Sequence, residues 1–403
     1  MKILFFNRFF FPDSSATSQI LSDLAFHLAA EGRAVEVVTT RKERTPVRTD
    51  EVRGVRIHRV AEAISGPHSL FERALAYVRY YKAARDAAHR IVHAGDIVVL
   101  KTDPPLLSVA IGPIAKAKGA KVVVWLQDVF PEIAREYGIP GMGGAIGWAF
   151  RRARDRSLAA ADAVVAIADR MAQTVRDLAV LANKPRVIHN WADGSAIVPM
   201  EPKSNPLRRQ WDLEDKFVVA YSGNLGRVHE FGTILAAAAQ LRDDDDVRFL
   251  IIGRGPRLAE VESAIVRHNL ANVRLEPHQE RSSLATSLGV ADVHLCVLKP
   301  EFEGLVMPSK LYGILAAGRP TIFIGDLRGE TAKILADTRT GVSVRTGDVA
   351  GLVKAIRTLR EDAESRAEMG LRARRTFEER FTMDRAFSQW KALLEEVASQ
   401  PHI

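Results

Sequence analysis

The chain has 403 residues, enough for two domains, and its 47% apolar and 26% charged content is that of a globular protein with a large core. No apolar run reaches the ~18 residues of a membrane-spanning helix. The single cysteine, Cys296, excludes an intrachain disulfide, and no Cys/His cluster points to structural zinc. The net charge of +8 sits in one half: residues 1–200 hold 28 Lys and Arg against 20 Asp and Glu, and the remainder 29 against 29. An excess so placed suits an anionic partner, such as a membrane surface, a pyrophosphate lipid or a nucleic acid.

The opening run Met1-Lys-Ile-Leu-Phe-Phe6 is too short for a signal segment and reads as a first buried strand. Short apolar, β-branched strands follow at residues 35–40, 55–60, 96–101, 121–126, 162–167 and 186–188. Helical periodicity occupies 17–31, 69–93, 106–118, 144–160 and 169–178. Continuously apolar strands between helices predict a parallel sheet covered on both faces. Residues 190–217, with Gly, Pro, Ser and charge, read as a linker. The pattern then resumes, with strands near 217–221, 247–252, 273–275, 292–297, 321–324 and 341–344. Its helices lie near 230–241, 257–268, 282–288, 309–317, 330–336 and 349–361. The expected fold class is α/β, two Rossmann-like doubly wound domains facing a cleft at the carboxyl ends of their strands. The domains are placed at 1–195 and 196–380. Residues 381–403 form a C-terminal helix, with Phe387, Trp390 and Leu394 at helical spacing, expected to pack back on the first domain.

Several strand ends carry chemistry. Pro12-Asp-Ser-Ser-Ala-Thr-Ser-Gln19 follows the first strand, and its hydroxyls, Ser15 and Thr17 among them, either cap a helix or line the cleft. Trp125-Leu-Gln-Asp-Val-Phe-Pro-Glu132 places Gln127 and Asp128 at the end of a central strand, where active sites gather. Ser222-Gly-Asn-Leu-Gly-Arg-Val-His229 is a glycine turn with a fixed charge, Arg227, a phosphate-binding arrangement. Ile251-Ile-Gly-Arg-Gly-Pro-Arg257 is a second glycine turn. It lacks the third glycine of a dinucleotide fingerprint, and Gly253 and Gly255 serve turn or ligand equally well. Gly304-Leu-Val-Met-Pro-Ser-Lys310 leads into a short apolar helix ending at Gly318, and small and hydroxylated residues with one lysine at a helix mouth suit an anion. Asp243-Asp-Asp-Asp246 contains an Asp-x-Asp pair of the kind that holds a divalent ion, but four like charges between helix and strand favour a solvated loop. In residues 69–93, Phe71, Leu75, Val78 and Tyr81 form a stripe, with Tyr77 and Tyr80 nearby. Arg73, Arg79, Lys82, Arg85 and Arg90 surround it, the pattern of a helix lying on an anionic membrane.

Taken in order, these motifs resemble the bacterial retaining glycosyltransferases of family four, with the GT-B fold, over essentially the whole chain. Those of exopolysaccharide, colanic-acid and O-antigen synthesis are nearest in look. The resemblance rests on Gln127-Asp-Val-Phe-Pro131, Ile188-His-Asn-Trp191, Ser222-Gly-Asn-Leu-Gly-Arg227 and Pro308-Ser-Lys-Leu-Tyr-Gly-Ile-Leu-Ala-Ala-Gly-Arg-Pro320. It implies a nucleotide-sugar donor, most readily a UDP-sugar such as UDP-GlcNAc or UDP-Glc, on the second domain and a lipid-linked or polysaccharide acceptor on the first. By the same resemblance Arg227 and Lys310 hold the pyrophosphate, with Gly223, Asn224 and Gly226 against it, and Ser309 and Gly253 are further donor contacts. Gly304, Leu305 and Val306 face the donor sugar, and His278 and Gln279 border the base. Asp128 and Gln127 occupy the catalytic position of the first domain, with Ser15 and Thr17 on the acceptor side. No metal and no cofactor are required. The chain departs from the family where two glutamates seven residues apart are usual: Leu305 and Gly313 stand there, and the expected substitutes are Glu301, Glu303, taken as catalytic, or Glu330, taken as a donor contact. The expected location is the cytoplasmic face of the inner membrane, with an anionic membrane surface as partner and no nucleic acid. A nucleotide-sugar epimerase of the same fold is the alternative.

Overall fold

A computed structural model describes residues 1–41, 48–63, 70–178 and 185–401, without the side chains of Leu70, Phe71 and Arg73. It divides into two compact units. The first comprises Met1–His189, Gly304–Val306 and Ala386–Ile403, and the second Asn190–Glu303 and Met307–Arg385.

The first unit is built on β1 (Ile3–Phe6), β2 (Val35–Arg41), β3 (Arg48–Val52), β4 (Val55–Glu62), β5 (Ile97–Lys101), β6 (Lys121–Leu126), β7 (Ala163–Ala166) and β8 (Arg186–Val187). Their order is β3-β4-β2-β1-β5-β6-β7-β8. All neighbours are parallel except β3, which pairs antiparallel with β4. The inner strands β1, β5 and β6 are buried throughout, which is why they read as unbroken apolar runs. The edge strand β3 is charged and largely exposed, so its sequence carries no apolar alternation. It is joined to β4 by the two-residue turn Arg53-Gly54, both at positive φ, as a tight hairpin requires. The helix Met383–Ser399 contributes its later turns to this unit, Trp390 lying tilted on Trp125 with ring centroids 4.6 Å apart.

The second unit carries β9 (Phe217–Ser222), β10 (Val247–Ile252), β11 (Val273–Glu276), β12 (Val293–Val297), β13 (Thr321–Ile324) and β14 (Gly341–Val344), ordered β11-β10-β9-β12-β13-β14 and parallel throughout. Apolar clusters cover both faces. One gathers Phe231, Phe249, Ile322 and Leu352, the other Val218, Leu250, Trp211 and Leu213.

Trp211 and Leu213 correct the linker reading of residues 190–217, because that stretch supplies part of the second unit's core. It is locked there by Arg208. Its guanidinium donates to the Asp292 carboxylate at 2.6 Å and to the Val290 carbonyl, and Asp292 also accepts from the Val218 amide at 2.7 Å. The Asp243–Asp246 run is a surface loop, as expected. Asp243 and Asp245 are 92% and 95% exposed, and Asp244 pairs with Arg360 at 2.6 Å. Removing one partner of a buried, hydrogen-bonded ion pair typically costs about 3–5 kcal/mol. Asp292→Ala is therefore expected to lower the urea midpoint by a corresponding amount. An unchanged midpoint would show that Arg208 does not hold this stretch in place.

Candidate active site

In the second unit the two glycine turns at the ends of β9 and β10 interlock. The Gly223 amide donates to Ile252 O, the Leu225 amide to Arg254 O, and the Arg257 amide to Leu225 O, each within 2.9–3.1 Å. A Cβ on Gly253 would lie 2.0 Å from Gly223 O, and one on Gly255 2.5 Å from Leu225 O. Their φ values, +146 and +155, lie where side chains are strained. Gly253 and Gly255 are thus accounted for by this backbone contact, which settles the shape of the 223–227 turn. Behind it, His229 Nδ1 accepts from the Gly226 amide at 3.2 Å and lies 2.9 Å from the Tyr221 hydroxyl. Burial, with Lys310 nearby, pushes the His229 imidazole down to about 2, so it stays neutral and serves as an acceptor.

Lys310 opens the seven-residue helix Lys310–Ala316. Its Nζ is buried without a hydrogen-bond partner among the described residues, while part of its stem remains accessible. The ammonium sits 3.2 Å from the centroid of the Tyr221 ring, and its Cε is 3.5 Å from where a Gly223 Cβ would be. Burial pushes this lysine down from 10.5 to about 7. Burial also pushes the Cys296 thiol up to about 12, making it an inert core group. Arg227 and Asn224 are exposed on the same turn, and Ser309 is exposed beside Lys310. Farther along the sheet, His278 is exposed and pushed down by partial burial and Arg254, and Gln279 donates to Pro277 O.

The two candidate glutamates meet. Glu303 Oε1 accepts from the Glu330 backbone amide at 2.8 Å, at the start of the helix Glu330–Thr338, where negative charge is favoured. That contact gives Glu303 a helix-capping task. At the departures from the family pattern, Leu305 is buried, and a Cβ on Gly313 would lie 3.3 Å from Leu288 Cδ1, so the glycine lets two helices close on each other. Gly304–Val306 group with the first unit, where Leu305 O accepts from the Val129 amide.

In the first unit, Asp128 follows β6, its amide and that of Gln127 directed at Thr102 Oγ1 at 3.3 and 3.1 Å. Burial, reinforced by the Asp103 charge and opposed by Lys101, pushes the Asp128 carboxyl up to about 6. Lys101, wholly buried at the end of β5, donates to Thr17 O at 3.0 Å and lies 4.2 Å from the Trp125 ring centroid. Burial brings it down to about 7. Thr17 Oγ1 is buried without a partner, and Ser15 Oγ turns to Asp13 and does not cap the helix Ala16–Ala30. A cavity of about 20 Å³ lies between Lys101, Asp128 and Arg154, room for one water and too small for a sugar.

Residues 16–191 match the family model described as Glycosyl transferase 4-like domain, and residues 204–376 match Glycosyl transferases group 1. The chain belongs to the glycosyltransferases. A relative in Escherichia coli (strain K12), the glycosyl transferase WcaI named for colanic acid biosynthesis, is 26% identical over 89% of this chain and 91% of its own. Among solved structures, sucrose-phosphate synthase from Thermosynechococcus elongatus superposes with a TM-score of 0.78 at 16% identity over 98% of this chain and 99% of its own. The Anabaena protein HepE in complex with UDP-glucose superposes with a TM-score of 0.74 at 17% identity, over 98% and 100%. At these identities the structural likeness establishes the fold, which is GT-B.

Two groups in this glycosyltransferase escaped sequence reasoning. His229 was quoted only as the end of a turn, and Lys101 only as the end of a strand. A histidine three residues after the second glycine, and a lysine closing an apolar strand, were the signals available.

The buried ammonium makes a stability prediction. Between pH about 7 and about 10 the unfolded chain holds a proton on Lys310 that the folded chain has lost, so this group's contribution to stability rises with pH through that window. Ligand-free Lys310→Met is expected to melt higher than the native chain at pH 6, with the difference shrinking towards pH 10. A variant that melts lower at pH 6 would show that the ammonium is satisfied in the folded state.

Proposed function

We propose that this glycosyltransferase moves a sugar, with retention, from a UDP-sugar such as UDP-GlcNAc or UDP-Glc to a lipid-linked or polysaccharide acceptor in cell-surface polysaccharide synthesis. The observation that carries the donor side is the buried, unpartnered Lys310 ammonium against the 223–227 turn, with Arg227 exposed on that turn. An unpaired buried cation is costly, and a diphosphate supplies the missing acceptors. The UDP-glucose named for HepE and the colanic acid named for WcaI support the donor class and the setting. Charge builds on the leaving diphosphate as the glycosidic bond breaks. Lys310 and Arg227 receive it electrostatically, without reorganising at the moment of reaction. In a retaining transfer the acceptor hydroxyl approaches from the leaving group's side, and its proton passes to the departing phosphate. Asp128 is assigned to the acceptor, orienting its hydroxyl when ionised. The location assigned is the cytoplasmic face of the inner membrane, against anionic lipid. No observation favours an epimerase.

Incubation with a panel of UDP-sugars and an undecaprenyl-pyrophosphate-linked acceptor is expected to release UDP; no turnover across the panel would sink the proposal. Charge-assisted hydrogen bonds contribute about 1.5–3 kcal/mol, so Lys310→Ala is expected to raise the Kd for UDP by about 10- to 100-fold by calorimetry. Unchanged affinity removes Lys310 from the site.

Because the Asp128 carboxyl titrates near 6, it is protonated below that pH and ionised above it. The kcat/KM profile should rise through about pH 6, and Asp128→Asn should lower the plateau and remove that limb. A limb that persists in the variant assigns the titration to another group.

A further inference from the structure

The sequence pattern pointed to the helix Leu70–Ile91 as the membrane-facing element. The structure turns part of its aromatic stripe inward: Tyr80 is wholly buried with its hydroxyl donating to Val38 O, and the Tyr81 hydroxyl donates to Pro105 O. Leu75 and Val78 remain exposed, and the Phe71 and Arg73 side chains lie outside the described residues.

Two large apolar side chains are exposed at the start of the helix Ala145–Ala159. Ile146 is 53% exposed and Trp148 57%, large apolar side chains held in water without cover. They are presented by a stiff turn. The Gly147 amide donates to Gly141 O, the Trp148 amide to Gly144 O, and a Cβ on Gly147 would lie 1.8 Å from Met142 O. Arg152, one helical turn on from Trp148, places its guanidinium 5.9 Å from the indole centroid. Arg152 and Arg156 are exposed, and neither has an acidic partner among the described residues. Arg154 instead faces inward, anchoring the helix through Glu132 Oε2 at 2.6 Å and Phe130 O at 3.0 Å, a few residues after Asp128.

The crossovers β4 to β5, β5 to β6 and β6 to β7 all step the same way along the sheet, so right-handed connections place their helices on one face. Residues 75, 78, 146 and 148 therefore share that helix layer, near the carboxyl edge where Asp128 follows β6. An indole and an isoleucine rimmed by unpaired arginines match the apolar boundary and negative charge of an anionic bilayer.

We propose that the first unit docks on an anionic lipid surface through Ile146 and Trp148, with Arg152 and Arg156 on the headgroups. The inference rests on the reading above for its purpose, which is to bring a lipid-linked acceptor to the enzyme.

The other four tryptophans, Trp125, Trp191, Trp211 and Trp390, are at most 5% exposed, so a change in tryptophan emission on contact with lipid reports Trp148. The full chain is titrated with vesicles of phosphatidylcholine alone and of 70:30 phosphatidylcholine and phosphatidylglycerol. With the anionic vesicles a blue shift is expected, together with quenching by bromine-labelled lipid chains. Half-saturation should move at least about 10-fold to higher lipid in Arg152→Glu/Arg156→Glu and in 0.5 M salt, and co-sedimentation should be lost in Ile146→Ala/Trp148→Ala. No shift with anionic vesicles, an equal shift in Trp148→Phe, or self-association that Trp148→Ala abolishes would each overturn the proposal, the last by assigning the patch to a second copy of the chain. UDP calorimetry on the same samples separates the readings: vesicle binding that fails while UDP still binds defeats the docking surface alone, and UDP binding that fails while vesicles still bind defeats the donor assignment alone.

Discussion

An ammonium held away from water without a hydrogen-bond acceptor is among the costlier things a folded chain can contain. The second unit keeps Lys310 in that condition, with the face of Tyr221 as partial compensation. The depressed titration, near 7, expresses the same cost. Such a group is tolerated where a ligand completes it, and the donor side of the account follows from this residue.

The surroundings of Lys310 fix the turn that faces it. Tyr221 is the penultimate residue of β9, and the turn after it passes the lysine stem in ordinary contact, with Gly223 taking the positive φ of +134. The β10 turn braces it through backbone hydrogen bonds. Gly253 and Gly255 let two backbones touch where any side chain would collide. His229 ties the far side of the turn to Tyr221 through a ring that burial keeps neutral. A positive His229 beside Lys310 would add repulsion to a site already short of negative charge. Neighbouring strands of one parallel sheet are what make this bracing possible, since both turns leave the same carboxyl edge.

Much of this architecture is legible in the sequence, because buried parallel strands must be apolar along their whole length. The inner strands and the glycine turns therefore announce themselves. The parts that do not are those with another source of stability. β3 is a charged edge strand carried by its hairpin turn, so only Gly54 marked it. The stretch around Trp211 resembles a linker because two aromatic and aliphatic anchors and one buried arginine do the work of a helix. The helix Ala363–Arg380 buries only a narrow line that includes Gly370, Ala373 and Phe377. Its Gly370 packs so near Gly318 that a Cβ would lie 2.6 Å from the Gly318 carbonyl. In the helix Leu70–Ile91 one aromatic, Tyr80, serves the core, while Leu75 and Val78 stay exposed. At the candidate site Lys310 was legible from its motif, whereas His229 and Lys101 act through burial, which no motif displays.

Burial lowers Lys310 to about 7, and a diphosphate bound against it would raise it again, so the proton taken up with UDP reports directly on the proposed donor site. Calorimetric titration at pH 8 in buffers of different ionisation enthalpy gives that number. Uptake approaching one proton per UDP bound is expected in the native chain, and its loss in Lys310→Met. Binding with no proton uptake in the native chain would contradict that site.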